Sequence, residues 1–206
     1  MNKKELSFLL SKLSTFDESK IKLEQYQTEA EIAASILWMA YMNGDIVKKK
    51  IADFGCGNGI FGIGSLILGA KKTCFADLDK EAIELAKENL ALIEEILNNK
   101  FDSEFFNLDL KDFEKRVDVV IQNPPFGVKK EHADKEFLGK AMEKSNVIYS
   151  IHKIESLNFI EKLAKDNDFS QKLIWEFDFP LKKIKSYHKK KVYNVEVGLW
   201  RLENER

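Results

Sequence analysis

Hydrophobic residues recur along the chain with the two periods expected of helices and strands. In the first 16 residues they fall on one face of a predicted amphipathic helix, at Leu6, Leu9, Leu10 and Leu13. Residues 28–42 predict a second helix, with Thr28 as its N-cap and Glu31 completing a capping box. Two N-terminal helices are therefore expected before the rest of the fold.

From residue 49 onward, short apolar runs alternate with longer helical patterns. The runs predict strands at 49–54, 72–79, 103–110, 115–125, 146–153, 170–180 and 191–202, and the patterns between them predict helices at 60–70, 81–99, 136–145 and 156–167. This alternation predicts an α/β fold with a mostly parallel, seven-stranded sheet and helices on both faces. The last two runs are separated only by a loop and predict an antiparallel C-terminal strand pair. With no repeat and no Gly, Pro or Ser-rich linker, residues 1–206 are expected to form a single domain.

Glycine and proline are concentrated at two sites. Five of the ten glycines lie between Gly55 and Gly64, and two of the three prolines are adjacent, at Pro124 and Pro125. Each cluster follows a predicted strand. Because ligands of such sheets bind at the carboxyl ends of the strands, both clusters are expected to face one crevice.

The first cluster, Asp53-Phe54-Gly55-Cys56-Gly57-Asn58-Gly59, leads from a strand into a helix. Gly57, Gly59 and Gly62 match the dinucleotide pattern G-x-G-x-x-G, and Asp77 follows Gly57 by 20 residues, so a nicotinamide cofactor is compatible with this loop. A carboxylate at position 53 would be unfavourable beside a pyrophosphate, but it suits an ammonium group. S-adenosylmethionine (SAM) carries an ammonium and no phosphate, so the loop favours SAM.

We expect further cofactor contacts from the strands that follow. Asp77 is the favoured acceptor for the ribose hydroxyls, while Asp79 is equally suited to be a helix N-cap. Asp109 is placed to accept from the adenine amine, and the backbone of Leu110 to donate to a ring nitrogen. The complete set expected from the loop and these strands is Asp53, Gly55, Gly57, Asn58, Gly59, Ile60, Asp77, Asp109 and Leu110.

The second cluster, Asn123-Pro124-Pro125-Phe126, supplies the candidate catalytic residues. Two prolines fix the backbone and remove two N–H donors, which leaves the Asn123 side-chain oxygen and the Pro124 carbonyl as rigid acceptors. These two acceptors suit the protons of an exocyclic amine, and Phe126 suits stacking on a planar base. The turn therefore predicts methyl transfer to an amine by positioning, without a strong general base.

Composition limits the partners. The chain has 33 basic and 34 acidic residues and a formal net charge of −1, so a nucleic-acid surface must be a local patch. Cys56 and Cys74 form no Cys-x-x-Cys pair, which argues against a disulfide framework and a metal site. The chain has neither a long apolar run nor a signal-peptide pattern, so we expect a cytoplasmic protein without membrane contact.

A basic stretch near the C-terminus is the candidate RNA contact. It holds six lysines and two ring side chains within ten residues, and the residues expected to contact phosphates are Lys182, Lys183, Lys185, His188, Lys189, Lys190 and Lys191. Lys3 and Lys4 are weaker candidates for the same role.

The glycine loop and the Asn-Pro-Pro-Phe turn together resemble the SAM loop and catalytic loop of Rossmann-like amino-methyltransferases. The segment Leu23-Glu24-Gln25-Tyr26-x-Thr28, the stretch IYSIHK at 148–153 and HKKK at 188–191 resemble, in the same order, the small-subunit rRNA adenine N(6)-methyltransferase family of archaea and eukaryotes. The resemblance covers about residues 20–202. It implies a Rossmann-like fold and transfer of one methyl group from SAM to the 6-amino group of an rRNA adenosine.

The resemblance also implies roles that the residues alone do not. Gln25 and Thr28 are expected to fold over SAM as ligands, within a helical extension, residues 1–45, that packs over the cofactor site. Eukaryotic members depend on a small zinc-ribbon adaptor, so such a protein is a candidate partner, expected at the strand around residues 72–77 beside Ile67 and Leu68. Asn58 departs from the eukaryotic pattern, which has cysteine there; a backbone contact is expected to preserve SAM binding.

Three alternatives stay open at this point. A glutamine methyltransferase of release factors would share both loops, although that family usually has tyrosine in place of Phe126. A guanine amino-methyltransferase could use the same turn. A nicotinamide-binding protein or a non-catalytic module would leave the Asn-Pro-Pro-Phe turn unexplained.

Overall fold

A computed structural model describes residues 1–16, 28–125, 133–182 and 192–205. The helices are α1 (Lys3–Leu10), α2 (Ala30–Met42), α3 (Ile60–Ile67), α4 (Lys80–Leu97), α5 (Ala133–Lys144) and α6 (Leu157–Asp166). The strands are β1 (Lys50–Phe54), β2 (Lys72–Asp77), β3 (Ser103–Asn107), β4 (Val119–Gln122), β5 (Val147–Lys153), β6 (Phe169–Lys182) and β7 (Val192–Asn204). Two single 3₁₀ turns cover Leu110–Asp112 and Ile154–Ser156.

The strands form one sheet in the order β3-β2-β1-β4-β5-β7-β6. β1 to β5 pair in parallel, and β7 runs antiparallel to both β5 and β6. The predicted seven-stranded, mostly parallel sheet with an antiparallel C-terminal strand is therefore confirmed. Residues 72–77 form β2, which lies between β1 and the edge strand β3 and is therefore near that edge of the sheet.

Each face of the sheet is covered by its own hydrophobic cluster, as the alternation predicted. Val119 and Ile121 of β4 point into the cluster on one face, where α1 to α4 pack, while Val120 points into the other cluster with α5 and α6. Side chains of β4 alternate because successive residues of a strand face opposite sides. The N-terminal helices thus lie on the same face as the helix that follows the glycine loop. No helix in the described part of the chain combines the length and apolar character needed to cross a membrane.

The two N-terminal helices begin in different ways. A capping box starts α1: the Asn2 side chain accepts from the Glu5 amide, and Glu5 accepts from the Asn2 amide. The capping box predicted for α2 does not form. Its N-cap is Glu29, which makes no side-chain capping bond, and the Thr28 hydroxyl is used elsewhere.

Candidate active site

The glycine loop joins the carboxyl end of β1 to the first turn of α3. Gly55, Gly57 and Gly59 adopt left-handed φ angles of 64°, 53° and 83°. A Cβ at Gly59 would lie 3.1 Å from the Ala86 Cβ, so packing against α4 also requires glycine there. At Gly57, among the residues that the structure describes, a Cβ would meet only the Phe16 ring, at 3.9 Å. The loop backbone around Gly57 is therefore approachable, which suits a ligand lying against the main chain.

Asp53 is buried at the end of β1 and connects the strand to α3. Its Oδ2 atom accepts a 2.8 Å hydrogen bond from the Gly62 amide, and its exposed fraction is 1%. Burial raises the pKa of Asp53 well above its ordinary value; the Gly62 hydrogen bond opposes this shift and the nearby Asp77 charge adds to it. A cation placed beside these two carboxylates would relieve their repulsion.

Asp77 lies at the carboxyl end of β2 and is bonded to the glycine loop. Its Oδ2 accepts from the Gly57 amide at 3.0 Å, and its Oδ1 accepts from the Asp79 amide at 2.9 Å. Burial raises the pKa of Asp77, against the effect of these backbone hydrogen bonds. Asp79 is the N-cap of α4, where its Oδ1 accepts from the Glu81 amide. Asp79 therefore caps α4, whereas Asp77 contacts the glycine loop.

The predicted adenine contacts follow β3. The Leu108 amide donates to the Asp77 carbonyl, which places the segment after β3 beside the end of β2. Asp109 caps the short turn Leu110–Asp112 by accepting from the Lys111 amide. Asp109 therefore has a local structural role in addition to the ligand role expected from the sequence.

Asn58 contacts the N-terminal segment through its side chain. Its Nδ2 donates to the Ser14 carbonyl at 3.2 Å, and the Asn58 carbonyl accepts from Asn89 Nδ2 at 2.9 Å. Asn89, buried on α4, also accepts from the Ser14 amide at 2.8 Å. Ser14 and Asn89 were not predicted, because a serine in a loop and an asparagine on an amphipathic helix give no distinctive signal. The expectation of a backbone role for Asn58 is thus incomplete, since its side chain fixes the segment after α1 against the loop.

Ile60 is the first residue of α3, and its side chain is buried in the core. Only its backbone is therefore left for the predicted cofactor contact. The loop residues as a group still fit SAM, because approachable glycine backbone and two buried carboxylates match a ribose and an ammonium group.

Asn123 follows β4 directly and meets Thr28 across the crevice. Asn123 Nδ2 donates to Thr28 Oγ1 at 3.2 Å, between residues 95 positions apart. The Asn123 Oδ1 atom is buried and has no hydrogen-bond partner among the described residues. An unpaired buried acceptor costs free energy, so it is expected where a ligand donor is to bind. Pro124 is buried and Pro125 half-buried behind it.

Behind this turn, a buried polar row crosses the sheet. Gln122 Nε2 donates to Ser150 Oγ at 3.0 Å, and Ser150 Oγ lies 2.7 Å from His152 Nε2. Burial lowers the pKa of His152 to about 3, so the buried ring is neutral. The row connects the residue before Asn123 to the neighbouring strand β5.

Several predicted residues lie outside the described part of the chain: Gln25, Phe126, Lys183, Lys185, His188, Lys189, Lys190 and Lys191. Lys182 is the last residue of β6. The structure therefore brings together the residues of the glycine loop, Asp77, Thr28 and Asn123, and the remaining assignments stay predictions.

Comparison with known proteins decides the family. Residues 27–146 match the family model described as Methyltransferase small domain. A METTL5 rRNA N(6)-adenosine-methyltransferase of Danio rerio is 33% identical over 98% of the chain and 98% of that protein. The chain belongs to the METTL5 family of methyltransferases. A second relative, an uncharacterised protein of Methanocaldococcus jannaschii, is 38% identical over 98% of this chain and 94% of its own length.

A solved structure extends the agreement to three dimensions. The crystal structure of a proposed RNA methyltransferase of Pyrococcus horikoshii superposes with a TM-score of 0.88 at 39% identity, covering 99% of this chain and 98% of that one. For a METTL5 family member the methyl donor is SAM, as predicted, and the nicotinamide alternative is wrong. The Rossmann-like fold class is likewise confirmed.

Proposed function

We propose that the protein transfers a methyl group from SAM to the exocyclic 6-amino group of an adenosine in RNA, and that this RNA is small-subunit rRNA. The observation that carries the proposal is the unpaired, buried Oδ1 of Asn123 at the end of β4. It offers an acceptor to one amine proton, and the following Pro124 carbonyl offers a second. The relatives named as rRNA N(6)-adenosine-methyltransferases support adenosine in rRNA as the substrate.

The catalytic turn acts on the amine by orientation. Asn123 Oδ1 and the Pro124 carbonyl take the two N–H groups, which turns the nitrogen lone pair out of conjugation with the ring. Pro125 holds the turn rigid, and Phe126 stacks on the base. The target base is therefore unstacked from its neighbours in the RNA when it enters the site. When bound, SAM would supply the methyl group: its carbon–sulfur bond would break to leave neutral S-adenosylhomocysteine, and the methylated nitrogen would release one proton to water. Positioning therefore provides much of the rate acceleration, and no strong general base is required.

The cofactor lies, in this proposal, between the glycine loop and the carboxyl end of β2. Asp77 accepts from the ribose hydroxyls, and Asp53 contributes negative charge toward the ammonium group. The loop contributes its backbone, at Gly55, Gly57, Asn58, Gly59 and Ile60. We place Asp109 and Leu110 at the adenine. Gln25 and Thr28 contact the cofactor from the N-terminal extension. The contact between Ser14 and Asn58 supports an N-terminal extension, residues 1–45, that packs over this site within a single domain 1–206.

The exposed face of α1 supports RNA as the substrate. Lys3 and Lys4 are exposed there, and Lys12, which is exposed just after the end of α1, has its Nζ 4.4 Å from the centre of the Phe8 ring. Phe8 is 62% exposed and borders an open groove of about 340 Å³ between α1 and α2. Lysines beside an exposed ring suit phosphates and an unstacked base. We propose that this face works together with the basic stretch at 182–191.

A small zinc-ribbon adaptor and a cytoplasmic location complete the proposal. The sheet edge offered to such a partner is β3, and the earlier expectation of Leu68 as a contact is not supported, because its side chain is buried. A purified chain that is monomeric, stable and fully active alone would show that this member does not need an adaptor.

Nucleoside mass spectrometry tests the proposed reaction. Small-subunit rRNA from cells with and without the gene is digested, and N(6)-methyladenosine is quantified. We expect one modified adenosine to be lost with the gene and restored when purified protein and SAM are added to the unmodified RNA. Methylguanosine, or methylglutamine in a release factor, as the restored product would support one of the alternatives instead.

A further inference from the structure

Asn89 is a buried polar side chain of α4 that has no part in the proposed reaction. Only 1% of the residue is exposed, although most of its neighbours on the buried side of α4 are apolar. Three residues earlier, Ala86 packs so closely on the glycine loop that a Cβ at Gly59 would lie 3.1 Å from its own Cβ. Residues three apart share a face of a helix, so Asn89 also faces the glycine loop.

The Asn89 carboxamide joins the segment after α1 to this loop. Its Oδ1 accepts from the Ser14 amide at 2.8 Å, and its Nδ2 donates to the carbonyls of Ser14 at 3.1 Å and Asn58 at 2.9 Å. A main-chain amide only donates and a main-chain carbonyl only accepts, so these partners fix the orientation of the carboxamide. Asn89 therefore holds both main-chain groups of Ser14 in place beside the loop.

The segment held in this way carries an aromatic ring to the cofactor loop. Two residues after Ser14, the half-buried ring of Phe16 has its Cε2 atom 3.9 Å from the place of a Cβ at Gly57. The Gly57 amide donates to the carboxylate of Asp77, the group to which we assign the ribose hydroxyls. A cofactor lying against Gly57 would therefore have the Phe16 ring as its neighbour.

We infer that Phe16 forms one wall of the SAM site, and that Asn89 is a positioning residue that holds this wall against the glycine loop. The inference rests on the cofactor placement in the proposed function and is independent of the RNA substrate. An aromatic ring adds apolar contact area to a bound ligand. Because Asn89 fixes the segment before SAM arrives, this contact costs little ordering on binding.

Calorimetry with SAM, in the absence of RNA, tests both roles. We expect Phe16→Ala to weaken SAM binding by about 10-fold, and Phe16→Leu to weaken it less, because leucine keeps part of the apolar surface. Asn89→Leu has nearly the shape of asparagine without its hydrogen bonds, so SAM affinity should fall by a similar factor. The double variant Asn89→Leu/Phe16→Ala should bind SAM no more weakly than the weaker single variant, because both changes remove the same wall.

Ser145→Ala is the matched control for lost stability. Ser145 is also buried, and its hydroxyl donates to the Ala141 carbonyl at 2.8 Å, just before the amino end of β5. Urea unfolding should show a lower free energy of unfolding for both Ser145→Ala and Asn89→Leu, but Ser145→Ala should bind SAM as the wild type does. Weaker SAM binding in this control, or losses that multiply in the double variant, would overturn the positioning role of Asn89. Tighter SAM binding by Phe16→Ala would mean that the ring obstructs the site.

Asp77→Asn, measured beside these variants, separates this inference from the proposed function. Weakened SAM binding by Asp77→Asn with normal binding by Phe16→Ala would overturn the inference alone. Normal binding by both variants would overturn the proposed cofactor placement as well. A wild type that binds SAM but forms no N(6)-methyladenosine would overturn the proposed reaction, and a SAM affinity lowered by Phe16→Ala and Asn89→Leu would still support the inference.

Discussion

The main-chain amide of Gly57 donates a 3.0 Å hydrogen bond to the carboxylate of Asp77. The bond joins the loop after β1 to the end of β2, where the second carboxylate oxygen accepts from the Asp79 amide. The loop is therefore held in place from the neighbouring strand as well as by its own glycines. Such preorganisation reduces the ordering cost of binding a cofactor.

We expect Asp77→Asn to weaken SAM binding by about 10-fold or more, because an amide has one oxygen where the carboxylate has two. Calorimetry with SAM, S-adenosylhomocysteine and NAD measures the effect and the specificity. Asp79→Asn is the control, since asparagine is an equally good N-cap and SAM affinity should not change. Equal losses in both variants, or wild-type binding of NAD without SAM, would contradict the assignment.

The buried carboxyl of Asp53 predicts a pH-dependent stability. Its raised pKa means that the folded protein takes up a proton at a pH where the unfolded chain stays ionised, so its contribution to the free energy of unfolding falls as pH rises through the folded pKa. Asp53→Asn keeps an acceptor for the Gly62 amide and removes the buried charge. Relative to the wild type, the variant should become more stable as pH rises above 3.8, the ordinary carboxyl value, until the folded carboxyl is ionised. Urea unfolding at several pH values measures this; a difference that is constant with pH would count against it.

His152 has the opposite effect: it predicts that the free energy of unfolding falls as the pH is lowered. Its pKa is ordinarily 6.5 and is lowered by burial to about 3, so protons bind the unfolded chain first as pH falls. Stability should decline below about pH 6.5, by at most about 1.4 kcal/mol per pH unit from this group. His152→Gln can still hydrogen-bond to Ser150 and does not titrate. Its chemical-denaturation profile should therefore be flatter between about pH 6.5 and about pH 4; parallel profiles would refute the buried neutral ring.

The basic stretch predicts a salt-dependent RNA affinity. Replacing Lys189, Lys190 and Lys191 with Gln should weaken RNA binding and reduce the slope of log affinity against log salt by about 2–3, with SAM affinity unchanged. The matched control replaces Lys48, Lys49 and Lys71 with Gln. These lysines precede β1 and β2, so they lie at the amino ends of the strands, and the glycine loop lies at the carboxyl ends. Filter binding at several salt concentrations measures both sets. If the wild type and the Lys189, Lys190 and Lys191 variant have the same salt dependence of RNA affinity, these lysines do not contact phosphates.

Most of the sheet could be predicted because apolar runs identify strands, whereas their ends depend on particular polar side chains. The run at 103–110 ends as a strand at Asn107, since Asp109 caps the turn after it. The run at 72–79 ends at Asp77 because Asp79 starts α4. The run at 115–125 forms a strand only over Val119–Gln122, before the two prolines that cannot donate to a ladder.

The candidate site was only partly predictable, since its motifs are local and its hydrogen bonds are not. Asp53, Asp77 and Asn123 were identified from glycine and proline patterns beside strand ends. Thr28 was expected to cap its own helix, and no sequence pattern shows that its partner lies 95 positions away. Asn89 lies on the buried face of α4, but a single asparagine in a helical pattern does not identify its hydrogen-bond partners.

Asn123→Ala tests the central claim most directly. Methyl transfer from labelled SAM to unmodified rRNA is measured beside a SAM titration of the same preparation. Loss of one of two preorganised acceptors should lower the rate by roughly 100-fold or more, while SAM binding is nearly unchanged because Asn123 serves the substrate amine. Near-normal turnover of Asn123→Ala would mean that the Asn-Pro-Pro-Phe turn is structural, and it would contradict the catalytic assignment.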